Sequence, residues 1–324
     1  MYTEFYGLSA FPFQLTPDPR FFFESSIHRR AVAHLLFGLD QGEGFIVVTG
    51  DIGAGKTTVL GHLLENLDPA LVVAAKLVST GLDADDLLRS VAAAFGLAFE
   101  GRDKAALLRA IEAFLLANHG RGLRTLLLID EAQNLTPAAL EELRMLSNFQ
   151  VGAKAPLQSF LLGQPEFRQR LAAPGLEQLR QRIIASYHLG SLSREESRDY
   201  VLHRLGVAGW RNDPEISEEA FDRLFAQAGG VPRRINLLCS RLLLFGFLEG
   251  RHRLDGEAVA LVADDLRREG IQAEETVGLA PADGEGGLAG RLTRLEQTVA
   301  RHGKALEFLA PVAERLMPRL TDCG

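Results

Sequence analysis

The sequence predicts an α/β fold, with a parallel sheet covered by helices on both faces, then a small all-helical domain and a helical tail. Three observations carry that prediction. Short apolar, β-rich runs alternate with helix-patterned stretches between residues 45 and 190. A glycine-rich loop joins the first run to a helical stretch. From residue 191 the strand pattern stops and only helical periodicity continues. Continuous apolar runs of this length suit strands buried on both faces, as in a parallel sheet, and the alternation calls for right-handed crossovers.

The runs are "FIVVT" (45–49), "LVVAAKLV" (71–78), "TLLLI" (125–129), "QSFLLG" (158–163) and "IIASYHL" (183–189). Before the fourth lies "LEELRMLSNF", where Thr136 suits an N-cap, Pro137 the first helical position, and Leu140, Leu143 and Leu146 one face. Downstream, "SREE" is a capping box with Ser193 and Glu196 in the reciprocal positions. Ser217 opens the next helix, with Phe221, Leu224 and Phe225 on one side and Gly229 as its stop. "PRRINLLCSRLLLFGFLEG" forms a third helix, and Asp255 to Arg268 a fourth. The organisation expected is a core over 1–190, whose N-terminal segment is 1–44, and a helical domain over 191–269.

Residues 270–290 are rich in glycine, alanine and acid and lack periodicity, so they read as a flexible linker. Over 291–320 an amphipathic helix is expected. Leu288, Leu292, Leu295, Val299, Leu306 and Leu309 keep a 4–3 spacing that His302 and Pro311 interrupt. Both a short partner-binding coiled coil and a single amphipathic helix fit that spacing.

With 324 residues, 47% of them apolar, the chain is long enough for two domains and a real core. Its charge, 35 minus 42 or −7, excludes the broad basic face that tracks nucleic acid and leaves space only for a local groove. The two cysteines, Cys239 and Cys323, have no disulfide or metal-ligand spacing, and Cys239 falls in an apolar helical run. The N-terminal "MYTEFYGLSAFPF" carries Glu4 and lacks the basic-then-apolar order of a signal peptide. No apolar run approaches the ~20 residues that span a bilayer. A cytoplasmic protein is expected, meeting membranes only through partners.

"GDIGAGKTT" (50–58) matches G-x-x-x-x-G-K-[ST] between a strand and a helix. The run Gly50, Asp51, Ile52, Gly53, Ala54, Gly55, Lys56, Thr57 and Thr58 would wrap phosphates with backbone N–H groups. Lys56 would reach the β- and γ-phosphates, and the Thr57 hydroxyl would bind Mg²⁺. "LLLIDEAQ" (126–133) ends a strand in two carboxylates. Asp130 is placed to hold Mg²⁺ through water, and Glu131 to orient and deprotonate the attacking water. Like charges at a strand end repel, and a bound cation relieves that repulsion. A glutamate in this role, and the lack of an [NT]-K-x-D sequence, point to ATP rather than GTP.

"FLLGQPE" ends the fourth run in Gln164, whose amide would reach the attacking water or γ-phosphate from a strand between the two earlier ones. A plain turn also suits it. "LRQRI" places Arg180 and Arg182 just before the last run. Such a pair is a solvated face, or in a ring-forming ATPase an arginine finger entering the neighbouring subunit. Arg233 and Arg234 sit in a helix's first turn, where the dipole disfavours positive charge unless an anion is bound there.

Together with "GGVPRRIN", these pieces resemble an AAA+ ATPase. "FYGLSAFPFQLTPDPRFFF", "SSIHRRAVAHLLFGLDQGEGF" and "LIDEAQNL" resemble the ExeA-like (general secretion pathway protein A) branch. "LEELRMLSNFQ" through "LGQPEFRQRL" to "LEQLRQRIIASYHLG" resembles the ATPase associated with exosortase (XrtA/PEP-CTERM) loci, which accompany exopolysaccharide export. The resemblance spans about residues 1–270. It implies a P-loop NTPase αβα core with a helical lid, nucleotide binding by Gly50 to Thr58, and Mg²⁺ at Thr57 and Asp130. It also implies catalysis by Glu131 with Lys56, Gln164 as first sensor, Arg182 or Arg180 as finger, and Arg233 as second sensor. Expected partners are further copies of the chain, in a ring or helix with heterologous contacts, and envelope or polysaccharide-export proteins. After the lid the chain departs from ExeA itself, with no transmembrane helix or peptidoglycan-binding domain.

Phe11, Phe13, Phe21, Phe22 and Phe23 fit either an adenine-pocket wall near "TPDPRF" or packing on the domain edge. His28 and His34 read as packing or surface residues rather than ligands. A DNA-handling AAA+ ATPase of the transposition-regulator type is the rival, opposed by the −7 charge and the lack of a recognition helix. "DEAQ" alone suggests a helicase, but no second helicase domain follows. Intact Glu131 opposes a non-hydrolysing switch.

Overall fold

The computed structural model describes residues 2–270 apart from Pro17, Thr80 and Ala153, so the linker beyond Gly270 and the tail helix lie outside the described residues. One sheet contains β1 (Phe45–Gly50), β2 (Val72–Val78), β3 (Arg124–Asp130), β4 (Leu157–Gly163) and β5 (Ile183–Leu189), in the order β2-β3-β4-β1-β5. Every pairing in it is parallel. The five apolar runs become these five strands, with ends moved by no more than one residue.

Alternation along each strand builds two cores. Phe45 and Val47 of β1, with Leu127 and Ile129 of β3, face one layer. Helices Ala84–Ala94, Lys104–Gly120, Pro137–Leu146 and Pro165–Ala172 cover it. Ile46, Val48, Leu126 and Leu128 face the other layer, under helices Ser26–Gln41 and Lys56–Glu65. Each such side chain, fully buried, contributes about 1.5–3 kcal/mol, so burial on both faces fixes the register. Leu140, Leu143 and Leu146 are all 0% exposed on the face assigned to them, and Thr136 caps their helix.

The helical domain contains Arg194–Val207, Glu218–Ala228, Pro232–Leu248 and Gly256–Arg268. Ser193 and Glu196 form the capping box, Ser217 caps the second helix, and Gly229 closes it with φ 60°. Cys239 is buried among these helices, and burial pushes its thiol well up, as suits an unreactive core group. Two short parallel strands, Glu215–Ile216 and Arg253–Leu254, were not foreseen, being too short to show a period. Among the described residues no helix is long and apolar enough to cross a membrane.

The N-terminal segment packs on the helical domain. Tyr2, Tyr6, Leu8, Phe13 and Phe21 bury in the same cluster as Tyr200, Leu205 and Leu242 of that domain. Arg204 fastens them. Its Nε donates to the Pro12 carbonyl at 2.6 Å, and its guanidinium lies 5.0 Å over the Phe21 ring. Its Nη1 donates to the Tyr200 hydroxyl at 2.9 Å, which in turn donates to Asn236 Oδ1 at 2.8 Å. The buried guanidinium is thereby supplied with acceptors. Phe11, by contrast, is 53% exposed.

Candidate functional site

At the carboxyl end of β1 the chain turns through the glycine-rich loop into Lys56–Glu65, with Gly55 as N-cap. Gly53 has φ 82° and Gly55 φ 99°, a region that residues with a Cβ rarely adopt. Space also demands glycine. A Cβ on Gly53 would lie 2.3 Å from Arg233 Cβ, and one on Gly50 2.6 Å from the Leu189 carbonyl oxygen. No side chain caps the helix start, so its first-turn N–H groups are available to an anion. Lys56 is 7% exposed, and its Nζ donates to the carbonyls of Gly50 at 2.6 Å and Asp51 at 3.0 Å. Burial pulls its pKa down, against the opposing charges of Glu131 and Asp130.

β4 separates β1 from β3, so the ends bearing Gly50, Gln164 and Asp130 are neighbours. Asp130 is buried. Its Oδ2 accepts from the Thr57 hydroxyl at 2.8 Å and lies 3.7 Å from Lys76 Nζ; its Oδ1 accepts from Glu131 N at 3.1 Å. Two hard oxygen donors beside the phosphate loop fit Mg²⁺, which keeps several waters and shares phosphate oxygens. Lys76 supplies positive charge to the same carboxylate oxygen, as a cation there would. Among the described residues no group of three or more His, Cys, Asp or Glu side chains could cage a metal. The Thr57 hydroxyl and Asp130 carboxylate suit an ion that shares its remaining ligands with a phosphate.

Glu131 has φ 55° and ψ 40°, the left-handed region, at the start of the Ala132–Asn134 turn. Its Oε2 accepts from Gln133 Nε2 and, at 3.4 Å, from Gln164 Nε2. A recess of about 590 Å³ opens here, lined in part by Val78, Ser79, Glu131, Gln133 and Gln164. Gln133 went unnoticed in the sequence, where it reads only as the fourth letter of "DEAQ". His28, read as a packing residue, is buried against the phosphate loop. Its Nε2 lies 3.0 Å from where a Gly55 Cβ would be, its Nδ1 meets Ser25 Oγ at 3.0 Å, and the ring hydrogen-bonds the Ala54 backbone. Burial holds its pKa below the ordinary histidine range. Phe22 stacks on His62 with ring centroids 4.3 Å apart, and His34 tilts onto Tyr187 at 5.0 Å.

Helix Pro232–Leu248 brings Arg233 to the loop. Its N–H donates to the Gly53 carbonyl at 3.3 Å, and its side chain packs over Gly53. Arg234 is exposed on the same turn. Arg180 and Arg182 stand elsewhere, before the opposite end of β5, roughly 20 Å along the strand at ~3.3 Å per residue. Arg182 Nη1 donates to the Ser147 carbonyl at 2.9 Å and lies 3.3 Å from Ser147 Oγ. Arg180 is exposed, with Nη1 donating to the Leu171 carbonyl at 3.0 Å.

Comparison with known proteins fits this geometry. A family model described as "AAA domain" matches residues 39–171, a span holding the phosphate loop, Asp130, Glu131 and Gln164. General secretion pathway protein A of Aeromonas hydrophila is 42% identical over 280 residues, 85% of this chain and 50% of that protein. The chain thus spans about half the length of this relative. Among solved structures, the Aeropyrum pernix ORC2 protein in ADPNP–ADP complexes superposes with TM-score 0.59 at 15% identity, over 82% of this chain and 74% of that one. Cdc6p from Pyrobaculum aerophilum gives 0.61 at 16% identity, over 77% and 71%. Drosophila ORC bound to DNA gives 0.57 at 16% identity, over 85% and 68%. The chain therefore has the P-loop AAA fold, carries an AAA domain match across its candidate site, and is similar to a secretion pathway protein A along half of that protein.

Proposed function

We propose that this chain is a Mg²⁺-dependent ATPase whose hydrolysis cycle moves its helical lid, in service of an envelope secretion or exosortase-associated exopolysaccharide-export system. One observation carries the enzymatic part. Lys56, the Thr57–Asp130 pair and the Glu131–Gln164 pair converge at adjacent strand ends. The system is suggested by the similarity to general secretion pathway protein A and by the resemblance to exosortase-locus ATPases.

Lys56, tethered to the loop's own carbonyls, keeps its ammonium where the terminal phosphates of ATP would lie. Thr57 and Asp130 would hold Mg²⁺, which neutralises charge on the phosphate oxygens when bound. Glu131 takes the proton of the attacking water, and Gln164 orients that water from the neighbouring strand. Arg233 faces the loop from the lid, so its attraction to the γ-phosphate is lost on hydrolysis and the lid is released.

Phosphate release by the wild type should require Mg²⁺. Glu131→Gln should still bind ATP while turnover falls about 100-fold or more; equal turnover in the two would overturn the assignment. For the system, export of polysaccharide by a host carrying only Glu131→Gln should stop. Undiminished export would remove that part and leave the ATPase standing. Salt-sensitive DNA binding in a mobility shift would instead favour the DNA-handling rival, which the −7 net charge opposes.

A further inference from the structure

We infer that Gln133 is a positioning residue for hydrolysis, its side-chain amide locking the Glu131 carboxylate to the residue that follows β4. The inference rests on the ATPase reading above.

The sheet leaves a gap that Gln133 fills. Pairing between β3 and β4 ends at Ile129 and Leu161, so no ladder rung fixes Glu131 relative to Gln164. Gln133 Nε2 donates to Glu131 Oε2, and its Oε1 accepts from Gln164 N at 3.0 Å. Both ends of one amide are used, one on each strand end. The Gln164 amide reaches the same Oε2 at 3.4 Å.

The turn carrying Gln133 is also held from behind. Arg170 Nη1 donates to the Gln133 carbonyl, and its Nη2 donates to the Leu135 carbonyl at 2.7 Å. Arg170 lies on Pro165–Ala172, the helix that starts directly after Gln164. Two side chains therefore cross between the same two segments, Gln133 in one direction and Arg170 in the other.

A glutamate carboxylate has three rotatable bonds and is a poor base when it points the wrong way. Two amide donors on Oε2 fix its plane and leave proton transfer to Oε1. Donor and acceptor on one side chain are both needed at this position. A carboxylate cannot donate to Glu131 and would repel it, whereas an apolar side chain can neither donate nor accept.

Gln133→Met tests this in the full chain, because methionine keeps the length and volume without hydrogen bonds. Binding of a fluorescent ATP analogue, KM and Tm should stay near wild type, with affinity within about twofold, while kcat falls about 10- to 100-fold, the scale of a misplaced reacting group. Adding Gln133→Met to Glu131→Gln should produce no further loss, since the group it positions is already gone. A wild-type kcat in Gln133→Met overturns the inference, as does a loss shared by nucleotide binding and Tm. A wild-type chain without Mg²⁺-dependent turnover overturns the ATPase reading and this inference with it.

Discussion

Gly53 is where the glycine-rich loop after β1 meets helix Pro232–Leu248. Its φ is 82°, and any Cβ there would fall 2.3 Å from Arg233 Cβ. Gly53→Ala therefore combines left-handed strain of about 1–2 kcal/mol with displacement of the Pro232–Leu248 helix start. Affinity for a fluorescent ATP analogue should fall about tenfold or more, the equivalent of ~1.4 kcal/mol; unchanged affinity would refute the contact's role. Gly53, Lys56 and Thr57 were legible because a phosphate loop is written in consecutive residues. Asp130 and Glu131 were legible because they end an apolar run. Gln133 and His28 were not. Their places depend on which strands and helices become neighbours, and a single letter carries no such information. The arginine pair was half legible. The sequence located it, but only the fold separates Arg182, tied to Ser147, from the exposed Arg180.

Elements show the same division between local and distant information. The capping box of Arg194–Val207 was readable from Ser193 and Glu196, three residues apart. The second use of Glu196 was not, because its Oε1 accepts from Ser26 N at 2.7 Å across 170 positions of sequence. Glu196 thus holds the start of Arg194–Val207 and the start of Ser26–Gln41 together. Burial pushes its carboxyl up, but hydrogen bonds from Ser26 and Ser193 and the charge of His28 outweigh that, leaving it below the ordinary carboxylate range. A depressed pKa means stability that is present above the unfolded value and lost as pH falls through the folded one. Glu196→Gln should lower Tm by about 2–4 °C near neutral pH, for a loss of ~1 kcal/mol. The two melting curves should converge in acid, below the usual carboxylate range. A gap that persists there would mean the charge is not what matters. The N-terminal aromatics obey the same rule: packing was one of two readings open for them and holds for Phe13 and Phe21, but their partner in the helical domain was not legible.

At the scale of the whole molecule the fold class was legible because periods of two and of about 3.6 residues are summed over many positions. Assembly is not encoded that way. Arg180 and Arg182 do not approach the candidate site of their own chain, so a role in hydrolysis requires a second copy. Such a contact joins two different surfaces and leads to a ring or a helix. Arg180, the more exposed of the two, is the better placed to enter a neighbour, while Arg182 is held by Ser147. Arg180→Ala should keep nucleotide binding and lose turnover by about 10³-fold, the usual cost of a missing finger. Mixing makes the test decisive. Glu131→Gln subunits offer fingers but lack the base, and Arg180→Ala subunits hold the base but lack fingers. Each alone should be inactive, and an equimolar mixture should regain phosphate release that rises with protein concentration. If the mixture stays inactive while Arg182→Ala complements Glu131→Gln in its place, the finger is Arg182. If neither pair complements and wild-type turnover per chain is independent of concentration, hydrolysis needs no neighbour.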